Sequence, residues 1–150
     1  MTAHSAPRAT DGSQFGAATA GARMRPVLLA DLALFVLLLL HDLDHVILQN
    51  EPTGGPGGVP LYAWAVSLAG YVAVLAAAWL AGRGDDRGAK LTVALGIGFA
   101  AGFLLAHALP FGPGSYWAYE PGALSWALVI LPMLVGLAAV GVGRRALRAS

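Results

Sequence analysis

Four long apolar stretches dominate the chain, separated by short segments that are polar or rich in glycine and proline. The first runs from Val27 to about Leu48 and the second from Leu61 to about Gly82; the third spans Leu91 to about Phe111 and the fourth Ala123 to about Gly143. Each holds 21 or 22 residues, and about 20 residues of helix cross a hydrocarbon core roughly 30 Å thick. Helices of soluble proteins average about 10–14 residues and carry a single apolar stripe. The pattern predicts an all-α fold, a multi-pass integral membrane four-helix bundle.

The connecting segments fit this map. Residues 50–60 (NEPTGGPGGVP) and 112–122 (GPGSYWAYEPG) are dense in glycine and proline and break helices. Residues 83–90 (RGDDRGAK) form a short charged turn. The first 25 residues are small and polar without apolar periodicity, and are expected to form a disordered tail. Pro26 suits the first position of helix 1, and residues 144–150 are expected to form a basic tail. The run Ala33 to Leu40 is followed by His41-Asp42-Leu43-Asp44-His45 without a small-x-small cleavage site, so a cleaved signal peptide is not expected. Thr2 stands where a myristoylation signal needs glycine.

Composition excludes whole classes of function. Charged residues are 11% of the 150 and hydrophobic residues 57%, against about 25% charged in soluble domains; mean hydropathy is +0.68. The absence of cysteine removes disulfides, thiolate zinc sites, iron–sulfur clusters and covalent c-type haem.

The net charge of +1 conceals an asymmetry. Arg8, Arg23 and Arg25 precede helix 1; Arg83, Arg87 and Lys90 join helices 2 and 3; Arg144, Arg145 and Arg148 follow helix 4. These are all 9 basic residues, and the other two loops have none. Lysine and arginine flank spans on the cytoplasmic side, so both termini are predicted on the cytoplasmic side of the cell (plasma) membrane. Tyr62, Trp64, Tyr116, Trp117, Tyr119 and Trp126 cluster at the opposite boundary as an interfacial belt would. The partner is then the lipid bilayer, and no nucleic acid is expected, because the basic residues anchor spans and form no binding motif.

The chemistry concentrates near the outer end of helix 1. At 100° per residue, Asp44, His41, His45, Gln49 and Asp42 fall at about −60°, 0°, 40°, 80° and 100° relative to His41. Leu34, Leu38 and Leu48 share that arc, while Val36, Leu39, Leu40, Leu43, Val46 and Ile47 lie outside it and suit lipid. His41 and His45 lie about 21 and 27 Å along helix 1, and His107 about 24 Å along helix 3, each measured from the cytoplasmic start. Trp64, Ser125 and Trp126 share this layer.

Histidines at i and i+4 on one helical face can bind one metal ion. His107 supplies a third nitrogen, leaving a position open, with Asp42, Asp44, Gln49, Ser125 and Trp126 in supporting positions. Zinc fits a three-imidazole set best. A b-type haem between His107 and one of His41 or His45 is a weaker variant, and copper(I) weaker still, since Met1, Met24 and Met133 are remote from the layer. Asp42 stands where a zinc protease motif carries glutamate.

A non-catalytic alternative stays open. In it the His/Asp cluster is a hydrogen-bond network tying helices together, and the protein packs against a partner or passes a small solute or proton. Gly98 and Gly102 permit close helix approach and would carry a homo-oligomer or membrane-partner contact; Ala139 and Gly143 offer the same on helix 4. Pro132 is expected to kink helix 4. Asp31, near the cytoplasmic end, is expected to pair with Arg25 or a terminal arginine.

The string Leu40-His41-x-x-Asp44-His45-x-x-x-Gln49, followed by His107-x-x-Pro110 and Ser125-Trp126, resembles a group of small four-helix bacterial membrane proteins without an assigned activity. The likeness covers about residues 27–143. It implies that His41, Asp44, His45, Gln49, His107, Pro110, Ser125 and Trp126 belong to one site, and it implies no reaction. Asp42 and the glycine-rich loop after helix 1 fall outside that pattern.

Overall fold

The computed structural model describes residues 12–49, 61–112, 115–118 and 122–150. Helix α1 (Gly12–Leu43) runs directly into a π-helical segment, π1 (Asp44–Gln49). Helix α2 (Leu61–Gly82) turns into α3 (Asp86–Phe103), which ends in a second π segment, π2 (Leu104–Ala108). A short 3₁₀ turn (Tyr116–Ala118) precedes α4 (Ala123–Arg148). Among the described residues there is no strand. Four helical segments, Thr19–Ile47, Tyr62–Gly82, Asp86–Ala108 and Ala123–Arg148, are long and apolar enough to cross a membrane.

Each helix packs on the next in the chain and α4 returns to α1, so the four close a ring around a shared core. Leu34 and Leu38 of α1, Val74 of α2, Phe99 and Phe103 of α3, and Val129 and Ala139 of α4 fill it. Val36, Leu39, Leu40, Leu43, Val46 and Ile47 face outward, as the helical arc requires. An outward apolar face costs nothing when the surrounding solvent is lipid, so these residues and the core residues are equally at home.

The closest helix contact joins α3 and α4. A Cβ on Gly96 would collide with the carbonyl oxygen of Gly136, and one on Gly136 would lie 2.7 Å from the oxygen of Gly96. Gly143 is packed against Val93 and the Ala89 carbonyl. Small residues here let two backbones touch, and in lipid such packing supplies much of the association energy. Ala139 and Gly143 thus serve as expected. Gly98 and Gly102 take no part in packing within the bundle: both face outward, and a Cβ on either would meet nothing within 4 Å.

At the end rich in basic residues, Met24 and Val27 pack with Ala81, Ala89 and Ala146. Arg23 donates to Asp86 Oδ1 at 2.8 Å and to the Ala146 carbonyl at 3.0 Å, tying α1, α3 and α4 together. The turn between α2 and α3 is tight: Gly84 takes φ +74°, and Asp85 caps α3 by accepting from the Arg87 amide.

Several boundaries move outward from their sequence positions. Helix α1 begins at Gly12, so the stretch to Arg25 is helical and Pro26 lies inside a helix. Alanines in this stretch favour helix, and burial of Met24 holds it to the bundle. Residues 1–11 lie outside the described residues, as does the 50–60 loop. Helix α3 starts at Asp86, where its cap permits, and α4 continues to Arg148, so most of the expected basic tail is helical. Pro132 sits buried inside α4.

Candidate metal centre

His41, on the last turn of α1, is buried. His45 follows one turn later in π1, and its Nε2 lies 3.0 Å from His41 Nε2. His107 comes from π2 on α3. Its ring centroid is 4.8 Å from that of His41 and 5.5 Å from that of His45. One ligand nitrogen from each of the three lies within 4.8 Å of the other two.

Both histidine-bearing helix ends are π-helical, with Leu109 donating its amide to the Leu104 carbonyl five residues back. Such wide turns are rare and gather at functional sites. Here they shift the angular spacing of side chains exactly where His45 and His107 leave their helices, so that both rings turn toward His41.

Aromatic rings enclose the cluster. Phe103 packs edge-on against His41 at 4.7 Å between centroids. Tyr116, fully buried, lies 5.0 Å from His107 and 6.3 Å from His45. Tyr116 is therefore part of the site and not of an interfacial belt. Trp126 touches Tyr116 at 5.5 Å, placing it one ring removed from the imidazoles. Trp117, outward-facing, leans on Trp126 and donates to the Ala108 carbonyl at 2.9 Å.

The carboxylates separate. Asp44 is buried and accepts from Ser125 Oγ at 3.1 Å, joining the end of the first helix to α4 beside the histidines. Asp42 turns to α2 instead, where Ser67 Oγ donates at 3.1 Å and Tyr71 Oη at 2.9 Å. The two acids lie at opposite edges of the polar arc, and the neighbouring hydroxyl groups decide which way each is drawn. The Gln49 side chain lies outside the described residues. Pro110, in the turn after π2, is exposed.

Asp31 also departs from expectation. It is fully buried and its Oδ2 contacts Thr92 Oγ1 at 2.9 Å, with no arginine paired to it. Phe103, Tyr116, Ser67, Tyr71 and Thr92 are the residues sequence reasoning missed. Phe103 stands one turn before His107 and was within reach of a helical projection; Tyr116 arrives from a loop, which no periodicity places.

In chemical terms the site offers three imidazoles in an aromatic enclosure with a carboxylate at its edge. Zinc–nitrogen bonds of about 2.0–2.1 Å in a tetrahedron set ligand nitrogens about 3.3 Å apart. The His41–His45 pair is near that spacing at 3.0 Å, and a His107 nitrogen lies within 4.8 Å of a ligand nitrogen on each of them. No family model matches the chain, and comparison with curated proteins and with solved structures gives no match either.

Proposed function

We propose that this protein is a multi-pass plasma-membrane protein, with both termini cytoplasmic, that binds a divalent transition-metal ion, zinc by preference, through His41, His45 and His107 near the extracytoplasmic face. The observation carrying the reading is the convergence of three imidazole nitrogens from two helices to within 4.8 Å of one another. Ring nitrogens packed together in an apolar enclosure repel as lone pairs unless a proton or a cation lies among them.

The ion would keep one coordination position for water or a substrate, as open zinc sites do. Asp44, held by Ser125, would lie at the edge of the site as an orienting or proton-accepting group. Asp42, engaged with α2, has no part in it.

The test is direct. Purified protein in detergent is loaded with zinc, freed of excess and assayed by elemental mass spectrometry, with haem checked by absorbance. Stoichiometric zinc in the wild type, lost on His107→Ala, is the expected result. Retention undiminished in a His41→Ala/His45→Ala/His107→Ala variant, or no zinc in the wild type, overturns the reading.

A second reading treats the cluster as a hydrogen-bonded tie between helices, and the His41–His45 and Asp44–Ser125 contacts favour it. It differs in one measurable way: imidazole loss would lower thermal stability equally with and without a chelator.

A further inference from the structure

We propose that Asp31 is a proton-binding site: a neutral carboxylic acid beside Thr92 that can take up or release a proton in the half of the bundle flanked by basic residues. Asp31 lies on α1 about 12 Å beyond Arg23 and about 15 Å short of His41 along the helix, and it is fully buried.

The burial of the carboxyl group and the shortage of donors around it carry the assignment. Thr92 Oγ1 lies 2.9 Å from Asp31 Oδ2 and 2.9 Å from the Gly88 carbonyl oxygen. A hydroxyl has one hydrogen to donate. The Gly88 carbonyl also faces the Thr92 amide within α3, in the regular bond to the residue four back, so the threonine can turn its hydrogen to Asp31 Oδ2 instead. Thr92 thus reaches one carboxyl oxygen and leaves the other without a donor.

The other oxygen supports this. Asp31 Oδ1 is buried with no hydrogen-bond partner, and a carboxylate left bare in an apolar interior is strongly disfavoured. Among the described residues no countercharge reaches it. On α1, Arg23 is engaged with Asp86 and Ala146, and Arg25 faces outward. Helix α2 offers only tyrosines, of which Tyr71 is bound to Asp42 and Tyr62 is exposed. On α3, Asp86 is held by Arg23, while Arg87 and Lys90 are exposed; on α4, Arg144, Arg145 and Arg148 are exposed. A metal cation would need several more oxygen ligands than this pocket holds. A proton needs no further ligand.

Dicyclohexylcarbodiimide tests the assignment, because it enters apolar regions and reacts with the acid form. The carboxyl hydrogen moves to one carbodiimide nitrogen while the carboxyl oxygen adds to the central carbon. Rearrangement then yields a stable N-acylurea with no atom lost. Full-length protein in detergent at neutral pH is treated and the adduct mapped by peptide fragmentation. Labelling at Asp31 is expected, declining as pH rises and absent in Asp31→Asn. The infrared carbonyl band of a protonated acid, shifting in heavy water, is expected in the wild type and lost in the same variant.

Absence of label at Asp31, or label confined to Asp42 and Asp44, overturns the proposal. So does protection of Asp31 by sodium chloride but not by choline chloride, which would make the ligand a metal cation. Mapping on the unaltered chain needs no variant, so the test stands even if Asp31→Asn does not fold.

Discussion

His41 and His45 meet Nε2 to Nε2 at 3.0 Å across the point where α1 widens into π1. Two neutral imidazoles can make this contact only with a hydrogen between them, and a bound cation would replace that hydrogen while drawing in His107. The same pair therefore serves as a helix tie or as two-thirds of a metal site.

Zinc affinity separates the contributions of the cluster. Removal of a supporting residue around a metal typically weakens binding about 10–100-fold, and Ser125→Ala, which frees Asp44, is expected in that range. His45→Ala, which removes a ligand, is expected to exceed it. Competition against a chelator of known affinity measures both. Affinity also falls as pH falls, because a protonated imidazole has no lone pair to give.

The glycines of α3 divide by position. Gly96→Val is expected to destabilise the bundle by at least about 1–3 kcal/mol, the usual cost of overpacking, because its Cβ would meet the backbone of Gly136. Gly98→Val is expected to leave the stability of the isolated chain nearly unchanged. Thermal unfolding in detergent reads the contrast. If Gly98 and Gly102 carry an oligomer contact, Gly98→Val changes the oligomeric state instead, which light scattering detects.

Asp42 depends on two hydroxyl donors from α2. Tyr71→Phe removes one of them, and a hydrogen bond to a charged group is worth about 1.5–3 kcal/mol. A loss toward the lower end of that range is expected, since the carboxylate is only half-buried and keeps Ser67. Zinc binding is expected to be unaffected. Denaturation in mixed micelles and the zinc assay together check the pair of outcomes.

Orientation is open to a clean test because the chain contains no cysteine. Ala149→Cys is expected to be shielded from a membrane-impermeant maleimide in intact cells, and Trp117→Cys to react. The reverse pattern would overturn the cytoplasmic placement of the termini.

The face of α1 was legible in the sequence. Leu34 and Leu38 are buried and Val36, Leu39, Leu40 and Leu43 face outward, because helical periodicity carries that information over many turns. The shared depth of His41, His45 and His107 was legible for the same reason, since rise per residue is nearly constant. The partners of Asp31 and Asp42 were not. Each depends on a hydroxyl on another helix, Thr92 on α3 or Tyr71 and Ser67 on α2. The expectation of Arg25 or a terminal arginine as the partner of Asp31 failed because Arg25, Arg144, Arg145 and Arg148 face outward while Asp31 is fully buried.

Gly96 and Gly98 show the limit most plainly. Two residues apart on one helix, they face different surroundings: Gly96 meets α4 and Gly98 meets nothing within 4 Å. A small-residue pattern announces that close approach is allowed, and only the rotation of α3 against α4 decides which glycine uses it. The sequence alone determined four apolar helices and one layer of histidines, since length, hydropathy and helical rise are local properties. The tertiary structure decided that the three imidazoles converge, that Tyr116 covers them and that Asp31 meets Thr92. Those contacts arise from the relative rotation of helices and the path of a loop, which depend on packing between segments distant in the chain.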